Sequence, residues 1–174
     1  IQKFMVSKEN IVFLGMMGSG KSSIGSLLSK KLNIDFIDVD NEIEKNTGMK
    51  ISKIFENNGE KYFREIEETT TLKFLKKNNT VISLGGGAFL NNKIKKEVLE
   101  NHISFWLYWD DKTLIERIKD SKKRPIAHKS SRGEIIELIK KRSVIYSKAM
   151  YKINCENLTK NEIVKNIVEI YETH

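Results

Sequence analysis

One short segment near the start of the chain combines glycines, a lysine and hydroxyl groups at a spacing suited to phosphate binding. Residues 15–22 read Gly-Met-Met-Gly-Ser-Gly-Lys-Ser and lie between the apolar run 11–14 and a helix-compatible run, 23–32. Glycines allow successive N–H groups to point into one loop, and a helix N-terminus adds partial positive charge. Lys21 would reach the outer phosphates of a nucleoside triphosphate, and the Ser22 hydroxyl would bind Mg²⁺. The alternative is a glycine-rich turn that carries an incidental lysine.

Two carboxylates close the second candidate strand, at Asp38 and Asp40. Ligands of parallel sheets gather at the carboxyl ends of the strands. Alternation along a strand would turn both carboxylates to one side, with Val39 opposite. One carboxylate could then hold Mg²⁺, and the other could accept a hydrogen bond from a substrate hydroxyl. Asp40 could instead serve only as the N-cap of the following helix.

Three successive glycines, at positions 85–87, follow Ser83 and Leu84 at the end of the third candidate strand. Glycine leaves room for the backbone to approach a ligand, and the N–H groups could bind a carboxylate or a hydroxyl. A tight turn without a ligand is the alternative. Many phosphate-loop proteins carry a Mg²⁺-binding aspartate at the end of this strand. Its absence here assigns that task to Ser22 and Asp38.

Arginine is rare among the 31 basic residues of the chain, most of which are lysines. Only arginine offers a planar, bidentate and permanently charged fork for carboxylates and phosphates. Each arginine is therefore a candidate site residue, with a solvated surface charge as the alternative. The arginines are Arg64, Arg117, Arg124, Arg132 and Arg142.

The composition fits a single globular domain over residues 1–174. No apolar run approaches the roughly 20 residues of a membrane span, and residues 1–10 lack the apolar core of a secretory signal. The single cysteine, Cys155, cannot form an internal disulfide, so we expect a reducing cytoplasm. The net charge is +8, but the basic residues are scattered along the chain. We therefore expect no nucleic-acid partner. We also expect no membrane partner, since no apolar run is long enough, and a monomer, since the sequence shows no obvious interface stripe.

Short apolar runs alternate with longer amphipathic runs, which predicts an α/β fold with a five-stranded parallel sheet flanked by helices. The candidate strands are 11–14, 35–39, 81–84, 103–108 and 151–155, and the candidate helices are 21–32, 40–46, 51–57, 60–77, 92–100, 112–119, 133–149 and 160–172.

The segment 120–133 interrupts this alternation because it is polar and basic and contains the only proline, Pro125. It has few apolar side chains to bury, so we expect it to be a mobile lid that closes over the phosphates. A plain surface loop is the alternative.

Taken together, these motifs resemble the shikimate kinase family from one end of the chain to the other. The resemblance implies a P-loop, nucleoside-monophosphate-kinase-like fold with ATP and Mg²⁺ as cofactors. It also implies transfer of a phosphoryl group from ATP to the 3-hydroxyl of shikimate, a step of aromatic amino-acid biosynthesis. The matching segments are 15–25, 38–40, 54–67, 83–88, 124–125 and 141–146.

The resemblance also implies a role for each residue on the nucleotide side. Lys21 and Arg124 would neutralise the transferring phosphoryl group, with Arg124 folding over from the lid. Arg117 would stack on adenine, and Ser22 and Asp38 would hold Mg²⁺. The phosphates would be wrapped by Gly18, Ser19, Gly20, Lys21, Ser22 and Ser23.

On the substrate side, the resemblance implies helices within residues 40–77. Asp40 would bind the shikimate hydroxyls and favour deprotonation of the attacking one. Phe55 and Phe63 would line this pocket or belong to the core. The shikimate carboxylate would be held by the guanidinium groups of Arg64 and Arg142 and the N–H groups of Gly86 and Gly87.

Three departures from the family pattern bear on these roles. Ser23 stands where the family usually has threonine, which keeps a hydroxyl, and Arg132 matches no role. The loop 155–159 lacks the basic residue that relatives often place near adenine.

Two other functions remain as alternatives. One is a small-molecule kinase that acts on gluconate or a nucleoside monophosphate. The other is a protein without catalytic activity, a nucleotide-binding module attached to nucleic acid.

Overall fold

The strands of this protein form one parallel sheet in a computed structural model that describes residues 9–119 and 130–174. The strand order is β2-β3-β1-β4-β5, which confirms the predicted five-stranded parallel sheet. In its register Leu14 pairs with Trp106 and Asp38 pairs with Ser83, so the carboxyl ends of neighbouring strands lie side by side. The strands are β1 (Ile11–Leu14), β2 (Asp35–Asp38), β3 (Thr80–Ser83), β4 (Ile103–Tyr108) and β5 (Tyr151–Asn154).

Helices connect successive strands and cover the sheet, so β1 and β3 are buried along their whole length. The helices of the described residues are α1 (Lys21–Leu32), α2 (Val39–Thr47), α3 (Ile51–Leu75), α4 (Asn92–Asn101), α5 (Asp111–Lys119), α6 (Arg132–Tyr146) and α7 (Lys160–Glu172), with a short 3-10 turn at Ala88–Leu90.

The boundary between β2 and α2 differs from the prediction. The strand ends at Asp38 and Val39 is already helical, so the predicted strand 35–39 and its alternation through Asp40 are wrong. Asp38 is the N-cap of α2, because its side chain accepts a hydrogen bond of 3.2 Å from the N–H of Asn41. The capping role that we considered for Asp40 therefore belongs to Asp38.

Helix α3 agrees with the prediction of two separate helices over 51–57 and 60–77. The span Ile51–Leu75 is two helices that meet at a kink, because Gly59 between them has a non-helical backbone, with φ 82° and ψ 173°. The two predicted helices are thus confirmed as the two arms of α3, one on each side of Gly59. The second arm ends two residues before the predicted position.

Helix α6 ends at Tyr146 rather than at the predicted residue 149, and the N–H of Ser147 donates to the carbonyl of Ser143 at 2.9 Å in its last turn. Across residues 9–119 and 130–174, no helix is long and apolar enough to cross a membrane. Most of the predicted lid, residues 120–129, lies outside the described residues.

Candidate active site

A cavity of about 300 Å³ opens at the carboxyl ends of β1, β2 and β3. It joins three motifs that are distant in sequence, namely the phosphate-binding loop (residues 15–22), the paired carboxylates and the glycine run. Its walls are made by Met17, Gly18, Gly20, Lys21, Ser22, Ser23, Asp38, Asp40, Ser83, Leu84 and Gly86.

The phosphate-binding loop turns sharply between β1 and α1. Gly18 and Gly20 have φ of 78° and 89°, a region that side-chain-bearing residues rarely adopt. The ammonium group of Lys21 is buried and donates to the carbonyls of Gly15 at 2.8 Å and Met16 at 2.9 Å. A lysine is therefore held inside the loop, at the N-terminus of α1 where the helix dipole favours an anion.

The side chains of Ser22 and Asp38 are in direct contact, because the Ser22 hydroxyl donates to Oδ2 of Asp38. These side chains offer a hydroxyl and a carboxylate oxygen beside the loop, the hard oxygen ligands that Mg²⁺ prefers. The residues present thus fit a magnesium ion that would complete its shell with triphosphate oxygens and water. Asp40, in the first turn of α2, lines the same cavity.

Two arginines that are 78 positions apart in the chain meet the glycine run. A Cβ atom on Gly87 would lie 2.5 Å from Nη1 of Arg64, and one on Gly86 would lie 3.3 Å from Nη1 of Arg142. A side chain at position 87 would therefore displace the Arg64 guanidinium. The fold brings both guanidinium groups against two consecutive glycines, of which Gly86 lines the cavity.

Arg64 is held by neighbours on α3. Its Nη1 donates to Oε1 of the buried Glu67 at 2.6 Å, and its Nη2 lies 3.3 Å from Oε1 of Glu60. Phe63 is fully buried, and its ring centre lies 4.7 Å from that of Phe55. Neither ring is among the residues that line the cavity, so their packing favours the core alternative.

Sequence reasoning gave no role to two aromatic residues at this site. The indole Nε1 of Trp109 donates to the carbonyl of Ser19 at 2.8 Å, and the Tyr146 hydroxyl donates to the carbonyl of Gly86. Both bonds join segments at least 60 residues apart, so no local pattern signalled them. Arg117 lies beside the same loop, where its Nη1 donates to the carbonyl of Gly18 at 3.1 Å.

The remaining candidates lie elsewhere. Arg124 is outside the described residues, and Arg132 is exposed at the start of α6.

Cys155 is buried at the end of β5, and burial raises its thiol pKa to about 12, so it stays protonated and unreactive near neutral pH. In the loop 155–159, Oε1 of Glu156 accepts a hydrogen bond from the Asp110 N–H at 3.0 Å.

Comparisons with known proteins agree with this geometry. The shikimate kinase family model matches residues 17–172. The shikimate kinase of Thermodesulfovibrio yellowstonii is 41% identical over 165 residues, which are 94% of this chain and 95% of that protein. The structure of shikimate kinase from Acinetobacter baumannii in complex with shikimate superposes with a TM-score of 0.91 at 28% identity, covering 97% of this chain and 95% of the other. For the Aquifex aeolicus shikimate kinase the TM-score is 0.85 at 40% identity, over 94% and 96%. Because these matches span nearly the whole chain, it belongs to the shikimate kinase family.

Proposed function

We propose that this cavity binds ATP and shikimate together and transfers the terminal phosphoryl group to the 3-hydroxyl of shikimate. The observation that carries the proposal is the meeting of Lys21 and Asp40 in one cavity, beside two arginines that converge on the glycine run. Membership of the family makes the chain an ATP-dependent small-molecule kinase of aromatic biosynthesis.

On the nucleotide side, the N–H groups of residues 18–23 surround the phosphates. Lys21 exchanges its bonds to the carbonyls of Gly15 and Met16 for phosphate oxygens, so its charge stabilises the phosphoryl group in transfer. Ser22 and Asp38 would hold Mg²⁺, which supplies charge neutralisation to the triphosphate when bound. Arg117 contacts the base.

On the acid side, the guanidinium groups of Arg64 and Arg142 pair with the shikimate carboxylate, and Gly86 and Gly87 add backbone N–H donors. This fixes the ring so that one hydroxyl faces the phosphates. Asp40 accepts the hydrogen bond of that hydroxyl and favours loss of its proton as the new P–O bond forms and the bond from the terminal phosphorus to the ADP oxygen breaks, with ADP as the leaving group. Positioning and electrostatic stabilisation then account for the rate, as is usual in phosphoryl transfer.

Arg124 and the lid 120–133 stay predictions, since residues 120–129 lie outside the described part of the chain. We assign to Arg124 the neutralisation of the phosphoryl group opposite Lys21. Lid closure would exclude water, which otherwise competes with shikimate for ATP. We also propose that the protein acts as a cytoplasmic monomer, without nucleic acid or membrane.

The deciding experiment measures ADP release in the presence of Mg²⁺, with and without shikimate. We expect release to depend on shikimate and to stop when Mg²⁺ is chelated. Gluconate and nucleoside monophosphates serve as competing substrates, and a preference for either would overturn the proposal. ADP release that shikimate does not stimulate, together with salt-sensitive nucleic-acid binding, would instead favour the non-catalytic module.

A further inference from the structure

Trp109 is a buried side chain on the nucleotide side of the cavity, one residue beyond the end of β4. Only 7% of the residue is exposed. Its indole Nε1 donates to the carbonyl of Ser19 at 2.8 Å, which fixes the ring against the phosphate-binding loop. The indole N–H is the only hydrogen-bonding group of a tryptophan side chain. This one bond therefore satisfies that group and sets the orientation of the ring.

Arg117 lies over the face of this indole ring. The Cζ atom of its guanidinium is 3.7 Å from the ring centroid, while Nη1 donates to the carbonyl of Gly18 at 3.1 Å. The residue is nevertheless exposed to solvent. The ring and the carbonyl together hold a long, flexible side chain in one place, with one face of its guanidinium on the indole.

We propose that Trp109 is a positioning residue for the nucleotide base, because it holds the Arg117 guanidinium as a platform on which the base stacks. The inference rests on the proposed function in taking Arg117 as the base-contacting residue. A guanidinium has two faces, and the face away from Trp109 is the one offered to a planar base. An arginine that is ordered beforehand loses less conformational freedom when the base binds, which increases affinity.

Equilibrium binding of ADP and of pyrophosphate separates the base from the phosphates. Trp109→Leu removes the ring, and we expect it to weaken ADP binding about tenfold while pyrophosphate binding changes by about twofold or less. Trp109→Phe keeps a ring beneath Arg117 and should bind ADP with intermediate affinity. The matched control is Trp106→Phe, since Trp106 is an equally buried tryptophan of β4 and should leave ADP binding unchanged. Unchanged ADP binding by Trp109→Leu, or equal losses for the two ligands, overturns the proposal.

A second readout does not depend on whether Trp109→Leu folds. The chain has two tryptophans, so Trp109 is the only one left in the Trp106→Phe variant. Saturation with ADP should change the fluorescence emission of Trp109 more than saturation with pyrophosphate does, because the base of ADP stacks on the guanidinium that contacts the indole. Identical changes would contradict the inference. If the wild-type protein binds ADP in this way but releases none in response to shikimate, the proposed function fails and the role of Trp109 stands.

Discussion

Arg142 is a charged side chain that folding removes almost completely from solvent, with 4% of the residue exposed. A lysine at this position would keep the charge but lose the paired, planar contact with a carboxylate. Arg142→Lys should therefore raise the KM for shikimate about tenfold or more, with a smaller effect on kcat. Steady-state kinetics with varied shikimate measure both constants. Arg132→Lys makes the same change at an exposed position of α6 and should alter neither, whereas an unchanged KM in Arg142→Lys would refute the assignment.

Asp40 lies in the first turn of α2 and lines the cavity together with Lys21. An amide at this position has nearly the same shape as the carboxylate but is a far weaker base. Asp40→Asn should thus lower kcat by about a hundredfold or more while the melting temperature stays nearly constant. Asp35→Asn, at the exposed opposite end of β2, is the matched control and should keep wild-type kcat. Near-normal turnover by Asp40→Asn would remove this residue from the mechanism.

At the scale of elements, helix α3 owes its bend to Gly59, whose φ of 82° and ψ of 173° lie outside the range that suits other residues. A Cβ atom there would meet nothing within 4 Å, so the cost of a side chain is conformational rather than steric. Gly59→Ala should lower the free energy of unfolding in urea by about 1–3 kcal/mol. The KM for shikimate should also rise, because Arg64 lies on the arm that follows the bend.

The control for this change is Gly133→Ala in the first turn of α6. A Cβ atom at Gly133 would lie 3.9 Å from the nearest atom, the Oγ of Ser131, and its φ is not positive. Alanine suits a helix better than glycine, so this variant should be as stable as the wild type or slightly more stable. Equal destabilisation by both alanines would show that the positive φ at position 59 carries no special cost for a residue with a side chain.

The sequence predicted elements best where a single physical signal dominates. Strands β1 and β4 have their predicted bounds, because a run that is almost entirely apolar is typical of a strand buried on both faces. Strand β2 lies at an edge and is only partly buried, and Asp38 is both its last residue and a helix cap. Two signals overlap there, so the boundary was misplaced. Gly59 is a single clear signal, and the gap between the two predicted helices at residues 58–59 matches the kink of α3.

At the scale of the whole molecule, the missing information was tertiary contact. The sequence motifs identified the phosphate-binding loop and the glycine run as separate segments. The loop follows β1 and the glycine run follows β3, and the two are neighbours because β1 and β3 are adjacent in the strand order β2-β3-β1. Arg64 and Arg142 were candidates because arginine is rare here, but only the fold shows that they meet at adjacent glycines. Tyr146 is the last residue of the matching segment 141–146, but the sequence could not show that its hydroxyl bonds to a carbonyl 60 residues away.

The end of the sheet opposite the cavity is joined by one buried residue, Asn10. Its Nδ2 donates to the carbonyls of Leu75 at 3.1 Å and Lys77 at 2.7 Å, and its Oδ1 accepts from the Thr80 N–H at 3.0 Å. Its own backbone N–H donates to Nδ1 of His102 at 3.2 Å. Buried polar groups need such partners, so this cluster holds the end of α3 against the first residues of the central strands.

The cluster makes stability depend on pH through His102. Because its Nδ1 accepts a hydrogen bond, the ring is neutral, with its proton on the Nε2 that lies 3.4 Å from Glu97. Burial lowers the pKa of His102, and the opposing effects of Glu97 and Glu9 are smaller. The unfolded chain takes up a proton near pH 6.5 that the folded protein does not, so stability should fall as the pH drops below about 6.5 and level off below the folded pKa.

Urea unfolding at a series of pH values between about 7 and 5 measures this decline. His102→Gln keeps an acceptor for the Asn10 N–H but cannot titrate, so its free energy of unfolding should fall less across the same range. The matched control is His174→Gln, because His174 is exposed at the chain end and should leave the wild-type decline unchanged. If the free energy of unfolding falls equally in all three proteins, the acid sensitivity lies outside this cluster. A glutamine that cannot take up a proton would then lose as much stability as His102, which must stay uncharged to accept the bond.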